Sequence, residues 1–97
     1  MNYTIQVNEV KGKEGNIRAY ANLVIDEVFK ITNIAIIENQ EKGQLFVSMP
    51  RYRTKLVDEN NRPVYQDICY PVTKELREEL YSAILVEYEK GRVKEVV

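Results

Sequence analysis

The chain has 97 residues, of which 44% are apolar, 30% charged and 9% aromatic, a composition typical of one small globular domain. Histidine is absent and Cys69 is the single cysteine, which excludes histidine-based catalysis, a disulfide within the chain and multi-cysteine metal sites. A net charge of −1 gives no overall attraction to nucleic acid, so such binding requires a local basic patch. With no membrane-length apolar run and no signal-peptide core, we expect a cytoplasmic protein that does not enter a membrane.

Alternation of apolar and polar residues predicts the first two strands, over residues 2–10 and 17–25. Residues 11–16 contain two glycines and an asparagine and predict a hairpin connection between them. The apolar face of the second strand consists of Ile17, Ala19, Ala21, Leu23 and Ile25. Its two alanines leave room for a bulky element across this face, and a helix is the candidate.

Three more strands are predicted further along the chain. After a polar turn at Asp26-Glu27, the β-branched residues of 28–37 favour a central strand. Residues 44–49 and 64–70 predict the fourth and fifth strands, the fourth ended by Pro50. Between them, residues 51–63 are polar and lack a period, which indicates a long exposed loop or a projecting hairpin.

One helix follows the strands. Thr73 is its predicted N-cap and Gly91 its predicted C′ residue, and Leu76, Leu80 and Ile84 recur at helical spacing. The predicted fold is therefore α+β: a single domain in which an antiparallel sheet of about five strands is followed by one C-terminal helix packed on one face. We expect this domain to span residues 1–90, with a flexible tail over residues 91–97.

The sequence offers little for catalysis. Nucleophile candidates are Cys69, Ser48 and Ser82, and none has a histidine base. The carboxylate clusters are the pair Asp26 and Glu27 and the helix group Glu75, Glu78 and Glu79. A turn and a favourable helix dipole explain these carboxylates, although such groups can also bind a cation or act as acid and base. Cys69 alternates within an apolar strand, where a small buried residue is typical and a reactive thiol is the alternative. We expect no enzyme, metal, cofactor or small-molecule substrate.

The segment 51–55 is the most informative part of the surface. It places Arg51, Arg53 and Lys55 on one side of an extended chain, where they can contact phosphates, and Tyr52 can stack on an unpaired base. The alternative is a solvated basic loop. A second basic cluster includes Lys90 and Arg92 in the C-terminal part.

The second strand contains two further candidate residues for the basic patch. Arg18 and Tyr20 lie on its polar face, where they either extend the patch or form a plain exposed sheet face.

Several strings resemble the SpoVG family of small bacterial septation and sporulation regulators. Residues 18–21 (RAYA) and 26–29 (DEVF) resemble its R-A-x-A and D-E-x-F segments, and residues 43–50 (GQLFVSMP) resemble its G-L-F-V-x-M-P signature with Gln44 inserted. Residues 65–72 (YQDICYPV) resemble its D-I-x-H-P strand, and residues 85–90 (LVEYEK) resemble its closing segment. In this sequence Gln66 stands where the family usually has a basic residue, and Tyr70 replaces a histidine.

The resemblance implies a homodimeric, site-selective regulator that binds DNA and RNA. Its implied contacts are Arg51, Arg53 and Lys55, and more weakly Lys90 and Arg92. A protein-interaction module that recruits cell-division or regulatory partners through its sheet edge and the 51–63 loop is the alternative function. A small enzyme using Asp26, Glu27 or Cys69 is a more distant one.

Overall fold

The structure, a computed structural model, describes residues 2–10, 15–39 and 41–93, without the side chains of Arg92 and Val93. Six strands precede one helix. Their bounds are β1 Tyr3–Glu9, β2 Ile17–Ile25, β3 Phe29–Asn39, β4 Gln44–Ser48, β5 Arg51–Val57, β6 Pro63–Asp67 and α1 Lys74–Val93.

The first four strands form one antiparallel sheet in the spatial order β1-β2-β3-β4, which confirms the predicted antiparallel sheet and the central position of the third strand. The predicted connection between β1 and β2 lies in part outside the described residues. The predicted turn at Asp26-Glu27 is present, because both residues have positive φ (50° and 62°) and the Val28 N–H donates to the Ile25 carbonyl at 3.0 Å. Two successive positive φ values give a type I′ turn, whose twist suits a hairpin. Asp26 Oδ1 also accepts from the Asn2 N–H at 3.0 Å, so this carboxylate serves the turn.

A bulge in β2 changes which residues share a face. Arg18 is an extra residue between the pairs Ile17–Ile37 and Ala19–Ile36. Because a bulge reverses the alternation, Ile17 lies beside Ile37, on the opposite face from Ala19. The prediction that Ile17 belongs to the apolar face of Ala19 is therefore wrong.

A second bulge lies in β3. This strand has one residue more than β2 between Ile31 and Ile34, and the extra residue is Asn33, with φ +63°. Asparagine adopts this left-handed conformation at lower cost than most residues. As a result Ile34 is fully buried and Ile31 packs against the same core, although three positions separate them.

The core lies between one face of the sheet and α1, as predicted. The sheet contributes the small, fully buried Ala19 and Ala21, which leave space for Leu80 and Ile84 of the helix. Leu76, predicted to be buried with them, is only half-buried at the N-terminal end of the helix. The buried core residues are Ala19, Ala21, Leu23, Ile34, Ile36, Val47, Met49, Leu80, Ile84 and Tyr88.

The start of the helix matches the prediction and its end does not. Thr73 is the N-cap, since its Oγ1 accepts from the Leu76 N–H at 3.2 Å and its carbonyl accepts from the Arg77 N–H at 3.1 Å. The helix continues through Gly91 to Val93, beyond the expected C′ position and into the expected tail. Glycine within a helix costs only about 1 kcal/mol relative to alanine, so it does not end a helix by itself. The rest of the expected tail, residues 94–97, lies outside the described residues.

Residues 51–67 form a separate β-hairpin, one of the two interpretations of the segment 51–63. β5 and β6 pair with each other in a two-stranded sheet, so the main sheet has four strands, and the expected fifth strand over 64–70 is instead β6, Pro63–Asp67. Pro50 lacks an N–H and separates β4 from β5, while its carbonyl accepts from the Ile68 N–H at 2.7 Å and closes the base of the hairpin. The radius of gyration is 14.7 Å, against about 12.5 Å for a compact chain of this length, which agrees with a hairpin that pairs with no strand of the main sheet.

Candidate nucleic-acid interface

Arg51 and Arg53 lie on one face of the projecting hairpin. The register pairs Arg51 with Asp67 and Arg53 with Tyr65, so these four side chains share one face. Both arginines are exposed, as is Lys55. None of these three takes part in the ion pairs found within the described ranges, which involve Arg18, Lys74 and Lys90. Three cations are thus available for a ligand.

Tyr65 holds the guanidinium of Arg51 in place. The Arg51 Cζ lies 4.9 Å from the centroid of the Tyr65 ring, and both side chains are exposed. A cation–π contact at an exposed site contributes about 0.5–1 kcal/mol and orients the guanidinium. Asp67 lies opposite Arg51 but outside ion-pair distance. Sequence reasoning missed Tyr65, although its position opposite Arg53 follows once residues 51–67 are recognised as a hairpin.

Tyr52 and Lys55 occupy different positions from the two arginines. Tyr52 pairs with Gln66 on the opposite face of the hairpin, where its hydroxyl donates to Gln66 Oε1 at 3.3 Å. Its ring is half exposed, but the ring beside the arginines belongs to Tyr65. Lys55 lies in a bulge, since the segment between Arg53 and Val57 is longer than its partner in β6.

The side chain of Thr54 stabilises the bulge between Arg53 and Val57. Thr54 Oγ1 donates to the Val64 carbonyl at 2.7 Å and accepts from the Leu56 N–H at 3.2 Å. The exposed Lys55 between them is therefore presented from an ordered segment of backbone.

A cleft lies where the hairpin meets the main sheet, on the face opposite α1. Its volume is about 500 Å³, and we call it the junction cleft. Tyr20 and Arg51 both line it, so of the two alternatives for Tyr20 the structure favours an extension of the basic segment over a plain exposed sheet face. The other lining residues are Ile17, Asn33, Ala35, Ile37, Ser48, Met49, Pro50 and Ile68.

Arg18 does not extend this surface. The bulge at Arg18 turns it toward Glu38, and its Nη2 and Nε donate to Glu38 Oε2 at 3.0 and 3.3 Å. The side chain is 25% exposed and is tied to a carboxylate. The alternative in which Arg18 extends the basic patch is therefore not supported, because its guanidinium is engaged by Glu38.

Lys90 lies on the helix side of the sheet, opposite the junction cleft. Lys90 lines cavities between α1 and β1, on the helix side of the sheet, and its Nζ lies 3.4 Å from Glu87 Oε1. The side chain of Arg92 is outside the described part of the chain. The structure therefore does not join Lys90 to the arginines of the hairpin in one surface, and the contacts of Lys90 and Arg92 with nucleic acid remain predictions.

The side chains considered for catalysis form no catalytic arrangement in the described ranges. Cys69 is half-buried, and no group of three or more cysteine, aspartate or glutamate side chains there is placed to hold a metal ion. Burial raises the pKa of Tyr81, and burial together with a hydrogen bond to Glu79 raises the pKa of Tyr3. Both phenols therefore keep their protons at neutral pH and are poor bases.

The fold and this surface define a small α+β domain with a projecting basic hairpin. The SpoVG family model matches residues 1–90, and the chain belongs to the SpoVG family. Similar proteins named "Putative septation protein SpoVG" include that of Lachnospira eligens, 35% identical over 92 residues, which cover 94% of each chain. That of Thermoanaerobacter sp. (strain X514) is 34% identical over 86% of this chain and 82% of its own, and that of Clostridium kluyveri is 31% identical over 96% and 93%.

Among the described residues, the helix α1 is not apolar enough to cross a membrane.

Proposed function

We propose that this chain is a cytoplasmic, non-enzymatic regulator that binds DNA or RNA as a homodimer and acts in septation and the control of gene expression. The observation that carries the proposal is the pair Arg51 and Arg53, exposed on one face of the projecting hairpin and free of ion pairs within the described residues. Cations in this state can contact phosphates without first breaking an ion pair. The names of the similar SpoVG proteins support the process, septation.

A homodimer is supported by the free edges of both sheets. Directly after β1, the Val10 N–H donates to the Arg18 carbonyl, so Val10 and Arg18 form a hydrogen-bonded pair. Because such pairs alternate along antiparallel strands, the even-numbered residues of β1 are the ones bonded to β2. The backbone groups of Tyr3, Ile5 and Val7 therefore point away from β2, and the described residues offer them no backbone partner. Pairing of edges across a two-fold axis satisfies such groups and presents two basic hairpins. Light scattering at micromolar concentration should give twice the monomer mass; a stable monomer contradicts the dimer.

Neutralising the hairpin tests nucleic-acid binding. The variant R51A/R53A/K55A should lose binding to a fluorescent random-sequence pool, while the wild type binds with an affinity that falls steeply as salt rises. Each lost phosphate contact lowers the slope of log affinity against log salt by about 0.7–0.9. The melting temperature should change little, because all three side chains are exposed.

A control with the same change in net charge is the variant K30A/K42A/K74A, which removes three positive charges from exposed lysines that lie outside the hairpin in the sequence; of these, Lys74 is 3.9 Å from Glu78. It should bind nearly as the wild type does. If the two variants weaken binding equally, net charge and not the hairpin governs affinity, and the site assignment is wrong. If the hairpin variant binds as tightly as the wild type, Lys90 and Arg92 become the next residues to replace.

The alternative, a protein-interaction module, is favoured by the exposed aliphatic side chains of the hairpin. Leu56 and Val57 are 67% and 55% exposed near its tip. An apolar contact through these residues weakens little with salt, whereas phosphate contacts weaken strongly. Binding to a protein partner that persists in high salt and is lost in L56S/V57S, without salt-sensitive binding to nucleic acid, supports the alternative.

A further inference from the structure

We infer that the junction cleft accepts one unpaired base, so that the protein prefers single-stranded nucleic acid to duplex. This inference rests on the proposed function, and it specifies which form of nucleic acid the same surface recognises. Its basis is an uncovered aromatic ring, unengaged polar groups and a cation that all line one cleft.

The ring of Tyr20 forms a stacking platform. The strand registers place Ala35 directly opposite Tyr20, and Ser48 directly opposite Ala35, in one row across three strands. On the side of β3 the row continues with the small residues Ala35 and Ser48, and on the side of β1 it ends at the exposed Asn8. The Tyr20 side chain is 39% exposed on this open face of the sheet. Exposed aromatic rings on a sheet are a common platform for unstacked bases.

Polar groups near this platform are available for the edge of a base. The Ser48 hydroxyl has only a long contact of 3.5 Å to the Met49 carbonyl, and the Asn33 side chain has no hydrogen-bond partner among the described residues. A carboxamide and a hydroxyl each provide both a donor and an acceptor. The bulge of β3, in which Asn33 has a φ of +63°, holds this residue at the edge of the junction cleft.

Arg51 connects the cleft to the basic hairpin. It lines the cleft, and its guanidinium is oriented by the ring of Tyr65, with Arg53 farther along the same face. A strand whose base enters the cleft can thus place its backbone along these two cations. In a duplex the base must first leave its pair and its stack, which costs free energy and disfavours duplex.

The test compares two probes by fluorescence anisotropy: a labelled mixed-sequence 12-nucleotide DNA, and the same DNA annealed to its complement. The wild type should bind the single strand at least about tenfold more tightly. Tyr20→Ala should lose about tenfold or more for the single strand, the range for one stacked base, and little for the duplex. Tyr20→Phe should keep the affinity because it keeps the ring, and the exposed Tyr70→Ala, outside the cleft, is the matched control.

The remaining outcomes separate this inference from the proposed function. Equal salt-sensitive binding of both probes, with Tyr20→Ala unchanged, overturns the inference and leaves the proposed function standing. If neither probe binds the wild type, both are wrong. If Tyr20→Ala lowers the mass measured by light scattering and weakens both probes equally, the cleft is a contact between two copies, which also overturns the inference.

Discussion

Replacing Leu80 tests the packing of α1 on the sheet that carries the candidate interface. Leu80 is 4% exposed and lies in the core with Ala19, Ala21 and Ile84. Leu80→Ala should lower the free energy of unfolding by about 2–5 kcal/mol, because it removes buried methyl groups and leaves a cavity between rigid neighbours. A domain of this length has a total stability of about 5–15 kcal/mol, so the loss is a large fraction of it.

The assay is thermal unfolding followed by circular dichroism, supported by urea titration. For a domain of about 100 residues, 1 kcal/mol corresponds to about 4–8 °C, so the midpoint should fall by at least about 8 °C. Val86→Ala is the control, since it shortens a side chain of the same helix that is 51% exposed. A fall of less than about 2 °C for Leu80→Ala, or equal falls for both variants, would refute the packing of this helix face against the alanines.

Two further predictions concern the bulge of β3 and alkaline stability. Asn33→Val should destabilise the fold by about 1–2 kcal/mol, because a β-branched residue is strained at φ +63°, whereas Asn33→Gly should be tolerated; urea titration of both distinguishes strain from loss of the side chain. The raised pKa of Tyr3 contributes stability that is complete below the unfolded pKa near 10 and is lost as pH rises through the folded pKa. Tyr3→Phe should therefore show a shallower fall in melting temperature above pH 10, and equal slopes would show that this phenol is not responsible.

The elements that depend on local patterns were predictable from the sequence. Alternation locates β1 and β2, the polar pair Asp26-Glu27 marks the turn, and Thr73 marks the start of the helix, all confirmed. Gly91 was misleading because a glycine ends a helix only where the backbone turns left-handed, and here the helix continues.

It was harder to predict which residues share one face of a strand, because a bulge reverses the alternation of side chains and leaves no mark in the amino-acid composition of the strand. Ile17 fits the pattern of Ala19 by spacing, yet the extra Arg18 moves it to the other face. The spacing of Ile31 and Ile34 is the kind of signal that reveals such a reversal, since core positions three apart do not fit an unbroken strand, in which residues on one face are two or four apart. In the hairpin, Tyr65 and not Tyr52 lies beside the arginines, because β6 pairs with β5 in a register that places Tyr65 opposite Arg53. Pairing between segments distant in the sequence does not follow from local patterns.

The position of the candidate interface follows from how the sheet is covered. α1 occupies the face with Ala19 and Ala21, so the face with Tyr20 remains open. The bulge at Arg18 adds Ile17 to that open face and commits Arg18 to Glu38, which makes the floor of the junction cleft more apolar. The cations of the surface must then come from the hairpin, which Pro50 separates from the sheet at the rim of the same cleft. An apolar floor with an exposed ring beside a separate row of cations suits a ligand that has an aromatic base and a charged backbone.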